Sequence, residues 1–140
     1  MLMALMAAVA LSFIACSATP ETDEGEDEGS GLAACTEELP ADTEVEGVPD
    51  EFPKPDGAIY IGGSEAGPSF VLEGVFDGGL SESFEAWEAE FEDSGYDITK
   101  DEQEAKDAEV FFAGEETTGQ VNMFANCADQ TKLRITIRPD

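Results

Sequence analysis

The chain has no histidine, six lysines and arginines, one tryptophan and three cysteines in 140 residues. Without histidine, the commonest general base near neutral pH is missing, and with it go Ser–His and Cys–His catalytic pairs and histidine-based zinc sites. The six bases face 33 Asp and Glu, a formal net charge of -27. Clustered Lys and Arg are what a protein needs to displace counterions from a phosphate backbone, so nucleic acid is excluded as a partner class. No Cys-x-x-Cys occurs, which removes the usual redox and zinc-knuckle patterns. A long apolar run is missing too. Residues 1–15, MLMALMAAVALSFIA, are uncharged and apolar, yet a helix crossing a hydrocarbon core needs about 20 such residues.

That length suits the apolar region of a signal peptide, with an ordinary secretory cleavage or a buried apolar helix as the other readings of the residues alone. Phe13-Ile14-Ala15-Cys16 resembles the lipobox of prokaryotic lipoproteins, in which a large apolar residue and then a small one precede a cysteine. The resemblance implies a signal peptide over 1–15, diacylglyceryl transfer to Cys16, cleavage before it, and a lipid anchor on the outer face of the cell membrane. Phe13 stands where leucine is usual and no base precedes the apolar run, which points to a start upstream of Met1. With Cys16 lipidated, the odd cysteine count becomes even. Cys35 and Cys127 are then expected to form a disulfide, persistent in an oxidising compartment; two separate buried thiols are the alternative.

Ser17 to Ala34 carries six acids, Glu21, Asp23, Glu24, Glu26, Asp27 and Glu28, and no base. With almost no apolar surface to bury, 16–34 reads as the lipidated cysteine followed by a self-repelling tether. Its acids do not have the spacing of a calcium loop, and no metal or other cofactor is expected. Residues 35–140 are then one domain. Four prolines (Pro40, Pro49, Pro53, Pro55) exclude a regular helix from its start, leaving an extended lead-in held by Phe52 and the cysteine pair.

Ala58–Ile61 and Phe70–Phe76 read as a hairpin around the Gly- and Pro-bearing stretch 62–68. Leu80, Phe84, Trp87 and Phe91 recur at spacings of four, three and four, which predicts a helix over 82–94 with Ser81 as N-cap, Gly95 closing it and Trp87 packed over Gly74. Thr99–Asp107 reads as a loop or a brief helical turn. Strands follow at 108–113, 120–127 and 132–138. In the last, Leu133, Ile135 and Ile137 alternate with Lys132, Arg134, Thr136 and Arg138, the mark of an antiparallel sheet with one wet face. The fold class is therefore α+β: order β-β-α-β-β-β, four to five antiparallel strands and one amphipathic helix on one face.

An early cysteine, a hairpin, an aromatic-striped helix ending in Ser94-Gly95-Tyr96 and a late strand bearing Cys127 resemble the small exported lipoproteins of unassigned function in actinobacterial envelopes. That implies a membrane-anchored, non-catalytic binding or accessory module. The rivals are a small envelope hydrolase using paired carboxylates and a purely structural envelope protein. Gly62-Gly63-Ser64-Glu65-Ala66 lacks the final glycine of a nucleophile elbow, and with 33 acids no carboxylate pair stands out, so no catalytic residue is assigned. A binder should expose an aromatic patch, with Phe124 and Tyr60 as outward-facing candidates, whereas a structural protein should expose only acids. Lys132, Arg134 and Arg138 are expected to pair with acids on neighbouring strands, or else to hold an anionic group. Acid excess is also how proteins stay hydrated in high salt, so part of the charge is attributable to habitat.

Overall fold

A computed structural model describes residues 31–139. The segment read as a signal peptide, Cys16 and most of the stretch read as an acidic tether lie outside these residues. Six strands, β1 (Ala58–Ala66), β2 (Ser69–Asp77), β3 (Asp97–Gln103), β4 (Asp107–Ala113), β5 (Thr117–Cys127) and β6 (Gln130–Pro139), form one antiparallel sheet in the order β1-β2-β6-β5-β4-β3. The architecture is α+β as the sequence implies, but with one strand more than expected. The extra strand is β3, in the stretch read as loop. Its side chains are almost all polar and exposed, so nothing in their pattern marks a buried face. Backbone pairing to β4 alone makes it a strand, and its charges blunt a sheet edge that would otherwise invite further pairing. The residues assigned to the first hairpin turn, Gly62 to Ala66, instead continue β1 past a bulge at Tyr60/Gly62.

One helix, α1 (Leu80–Asp93), carries the chain from β2 across to the far edge. β2 and β3 run in the same direction with three antiparallel strands between them, so α1 has to cross the sheet diagonally. Its 14 residues make about 21 Å of helix, against roughly 19 Å for four strand spacings. The helix packs on β3, β4, β5 and β6. Leu80, Phe84, Trp87 and Phe91 are its buried stripe, as the spacing requires. The N-cap is Gly79, not Ser81: with no side chain at the cap, the Glu82 carboxylate reaches back to accept from the Gly79 amide at 3.0 Å. At the other end Gly95 adopts φ +78, donating to Glu92 O while Tyr96 donates to Phe91 O, the double closure that favours glycine there.

The core between α1 and the sheet is aromatic. Phe91 stacks on Phe112 with ring centroids 4.5 Å apart, and Phe52 meets Phe91 and Phe112 at 6.1 and 5.5 Å. Phe52 thus pins the lead-in to the core, each such fully buried side chain stabilising the fold by about 1.5–3 kcal/mol. Upstream, Thr43 N donates to Tyr60 O at 2.9 Å, extending the lead-in alongside β1. Trp87 does not sit in a notch at Gly74. A Cβ on Gly74 would collide with the carbonyl oxygen of Ile59, so that glycine admits the bulged backbone of β1. The Ser83 hydroxyl and the Trp87 indole N–H are buried without a hydrogen-bond partner among the described residues.

Candidate functional site

Side chains of a strand alternate between faces, so the pairing registers define which residues share each face. One face carries Leu72, Ile135, Val121 and Val110 in a row and lies under α1. Among the described residues, no helix covers the other. Its central rows read Glu73–Arg134–Asn122–Glu109–Glu102, Val71–Thr136–Gln120–Phe111–Lys100 and Ile59–Val75–Lys132–Phe124–Asp107. Arg138 and Thr118 follow beyond the second row.

Four of the six bases, Lys100, Lys132, Arg134 and Arg138, stand on this open face against six acids, Glu73, Asp77, Asp97, Glu102, Asp107 and Glu109. The face therefore has a net charge of -2, leaving -25 of the chain's -27 elsewhere. α1 contributes six acids and no base to the opposite side. Among the described residues, Lys132, Arg134 and Arg138 make no ion pair. That corrects the expected cross-strand pairing: Arg134 stands directly opposite Glu73, yet a solvated pair gains too little to order two long side chains. Only Lys100 closes a bridge on this face, to Glu102 at 3.0 Å, an interaction that holds its ammonium pKa above the usual lysine value.

Aromatic surface lies beside these cations. Phe124 is 46 % exposed, next to Lys132 on β6. Phe111 is half-buried beneath the Lys100 ammonium, 5.4 Å from its ring centroid. A shallow hollow of about 250 Å³ opens between Phe111, Gln120, Thr136 and Arg138. Cations without partners, an exposed aromatic ring and hydrogen-bonding Asn, Gln and Thr make a surface suited to docking.

No family model, no curated protein and no solved structure matches this chain.

Cys35 and Cys127 come together at disulfide distance, with Cα atoms 5.3 Å apart across 92 residues of sequence. Backbone contacts support the approach: Cys35 N donates to Asp129 Oδ1 at 2.8 Å, and Ala128 N to Ala33 O at 2.9 Å. Asp129 brings a third ligand-type atom to within 4.8 Å of the two sulfurs, but its carboxylate already serves the Cys35 amide. This locks the lead-in to the turn between β5 and β6. Cys16, the proposed lipid attachment, lies outside the described residues. No helix among the described residues is long and apolar enough to cross a membrane.

Tyr60 is not outward-facing. It is 5 % exposed, its hydroxyl donating to Pro53 O at 3.5 Å, and burial pushes the phenol pKa upward. Lys54 lies 4.3 Å above its ring and holds the Asp42 carboxylate at 2.7 and 2.8 Å, while Tyr60 N donates to Asp42 Oδ1. The Lys54 bond chiefly, with the Tyr60 amide, keeps the Asp42 carboxyl below its ordinary range. This cluster staples the lead-in to β1. In Ala58-Ile59-Tyr60-Ile61 both parities are apolar, so the pattern does not reveal which faces the core; Ile61, 47 % exposed, takes the outward place. Phe111 is hidden from the pattern for the same reason, since its neighbours Val110 and Phe112 are apolar as well.

Proposed function

We propose that the protein is an exported lipoprotein, anchored outside the cytoplasmic membrane through Cys16, whose domain is a non-catalytic binding or accessory module of the cell envelope. The observation that carries the anchoring is the cysteine arithmetic in three dimensions. Cys35 and Cys127 stand at disulfide distance, so they account for each other. The cysteine left over is Cys16, the one that the lipobox-like Phe13-Ile14-Ala15 precedes. A disulfide between Cys35 and Cys127 supports an oxidising compartment and fastens the start of the domain, giving the acidic tether a firm attachment point.

Binding is assigned to the open sheet face. The exposed ring of Phe124 beside Lys132 and Arg134, which make no ion pair among the described residues, supports a docking role over a purely structural one, which would leave only acids there. The lack of histidine and of any nucleophile motif favours a non-catalytic module.

The test is co-purification of the detergent-solubilised lipoprotein at native salt. Wild type should retain a specific envelope component that Lys132→Glu with Arg134→Glu loses while the fold is kept. Turnover of an envelope substrate by the purified protein, abolished by one Asp or Glu substitution that leaves folding intact, would overturn the non-catalytic reading.

A further inference from the structure

We infer that the open sheet face is a self-association surface, on which a second copy of this chain docks by two-fold symmetry about β5. This rests on reading the open face as the binding surface; it does not rest on the lipid anchor. Electrostatics narrows the choice of occupant. The open face has a net charge of -2 and the rest of the chain -25, so a second copy arriving anywhere else brings acids onto acids. Across a face-to-face contact the acidic far sides lie well beyond the Debye length of about 8 Å at physiological salt and are screened from each other.

The register then selects the axis. A two-fold axis between the two sheets and parallel to β5 carries β6 of one copy over β4 of the other. Because Arg134–Asn122–Glu109 and Lys132–Phe124–Asp107 are rows across β6, β5 and β4, this sets Arg134 across from Glu109 of the partner subunit. Lys132 falls across from the partner's Asp107, and both contacts occur twice. Phe124 and Asn122 meet their own counterparts on the axis. An axis along β6 would instead stack Arg134 on Arg134 of the partner subunit, and one between β5 and β6 would set Glu73 against the partner's Glu109. At the rim of the favoured arrangement Glu73 approaches Glu102 of the partner subunit, where solvent screens the pair and Lys100 is already bonded to Glu102. About this axis five strands overlap, β1 lying beyond the partner's β3; spaced about 4.8 Å apart, each offering some seven residues at about 3.3 Å, they give a flat area on the order of 550 Å², below the roughly 800 Å² per partner of a standard interface but of the same order.

The experiment co-expresses two differently tagged full-length copies, extracts them in mild detergent at native salt, captures one tag and quantifies the other. Wild-type copies should co-purify. Arg134→Glu in both copies, or Glu109→Arg in both, puts like charges together twice and should cut recovery by about tenfold or more. Mixing an Arg134→Glu copy with a Glu109→Arg copy recreates both opposite-charge contacts and should restore recovery, a rescue that a misfolded variant cannot produce. Absence of wild-type co-purification, indifference to either charge reversal, or failure of the mixed pair to recover would each overturn the dimer. Loss of the dimer while Arg134→Glu still abolishes retention of a different envelope component would leave the open face as a binding surface for that component.

Discussion

Replacing Cys35 by serine opens a covalent loop of 92 residues that encloses the helix and nearly all of the sheet. In the chain-entropy account, releasing a loop of that length gives back about 4 to 5 kcal/mol of unfolded-state freedom. For a domain of about 100 residues this lowers the unfolding midpoint on the order of 20 °C. Two features of this protein push toward the upper end. Its unfolded chain repels itself through a large net negative charge, so the uncross-linked ensemble is expanded. The bonds from Cys35 N to Asp129 and from Ala128 N to Ala33 also depend on the lead-in being held in place. Trp87 is the only tryptophan and is fully buried against Phe91, so its fluorescence reports the transition directly. Thermal melts of wild type and Cys35→Ser, without reductant, give the comparison. Midpoints within about 2 °C of each other, or two free thiols titrated in the unreduced, unfolded wild type, would refute the reasoning.

Gly119→Ala drives a Cβ into the carbonyl oxygen of Thr136 and to within 2.7 Å of the Phe112 ring, and should cost about 1–3 kcal/mol or more in denaturant titration. Gly62→Ala, with no heavy atom within 4 Å of the new Cβ, should stay within about 0.5 kcal/mol. Ser83→Ala removes a fully buried hydroxyl that has no partner among the described residues and gains helix propensity, so it should stabilise by about 1 kcal/mol; a destabilised variant would reveal a bond that the hydroxyl makes. The Glu88 carboxyl is pushed above its ordinary value by partial burial first and then by Asp101, Glu92 and Glu85. The folded state therefore holds that proton more tightly than the unfolded chain, and the associated stability is lost as pH rises through the raised value. Glu88→Gln should raise the melting midpoint at pH 7 and lose that advantage near pH 4; an equal effect at both would contradict the assignment.

Elements whose side chains divide cleanly into buried and wet sets were legible in the sequence. The stripe of α1 and the strict alternation of β6 are such cases, because one face of each is apolar and the other charged. Where that division fails, the pattern loses its information. β3 is polar on both faces and exists through backbone bonds to β4; Tyr60 and Phe111 sit in runs that are apolar on both parities. The Gly79 cap escaped notice because it has no capping side chain, its bond coming from a glutamate three residues on. At Gly74 the expected notch for Trp87 is taken up by the bulged backbone of β1, a neighbour that only the fold brings there. For the site, the outward cations of β6 and the exposure of Phe124 followed from alternation alone. The gathering of four bases on one face depends on which strands are neighbours, and the sequence did not supply that order.

Intact-mass analysis of the protein extracted from membranes of the producing cell tests whether a lipid on Cys16 holds this domain at the membrane. A lipoprotein should give a mature chain beginning at Cys16, with a diacylglyceryl thioether on its sulfur and a mass two hydrogens short of the fully reduced chain for the bond between Cys35 and Cys127. A mature N-terminus at any other residue, or an unmodified Cys16, would contradict it.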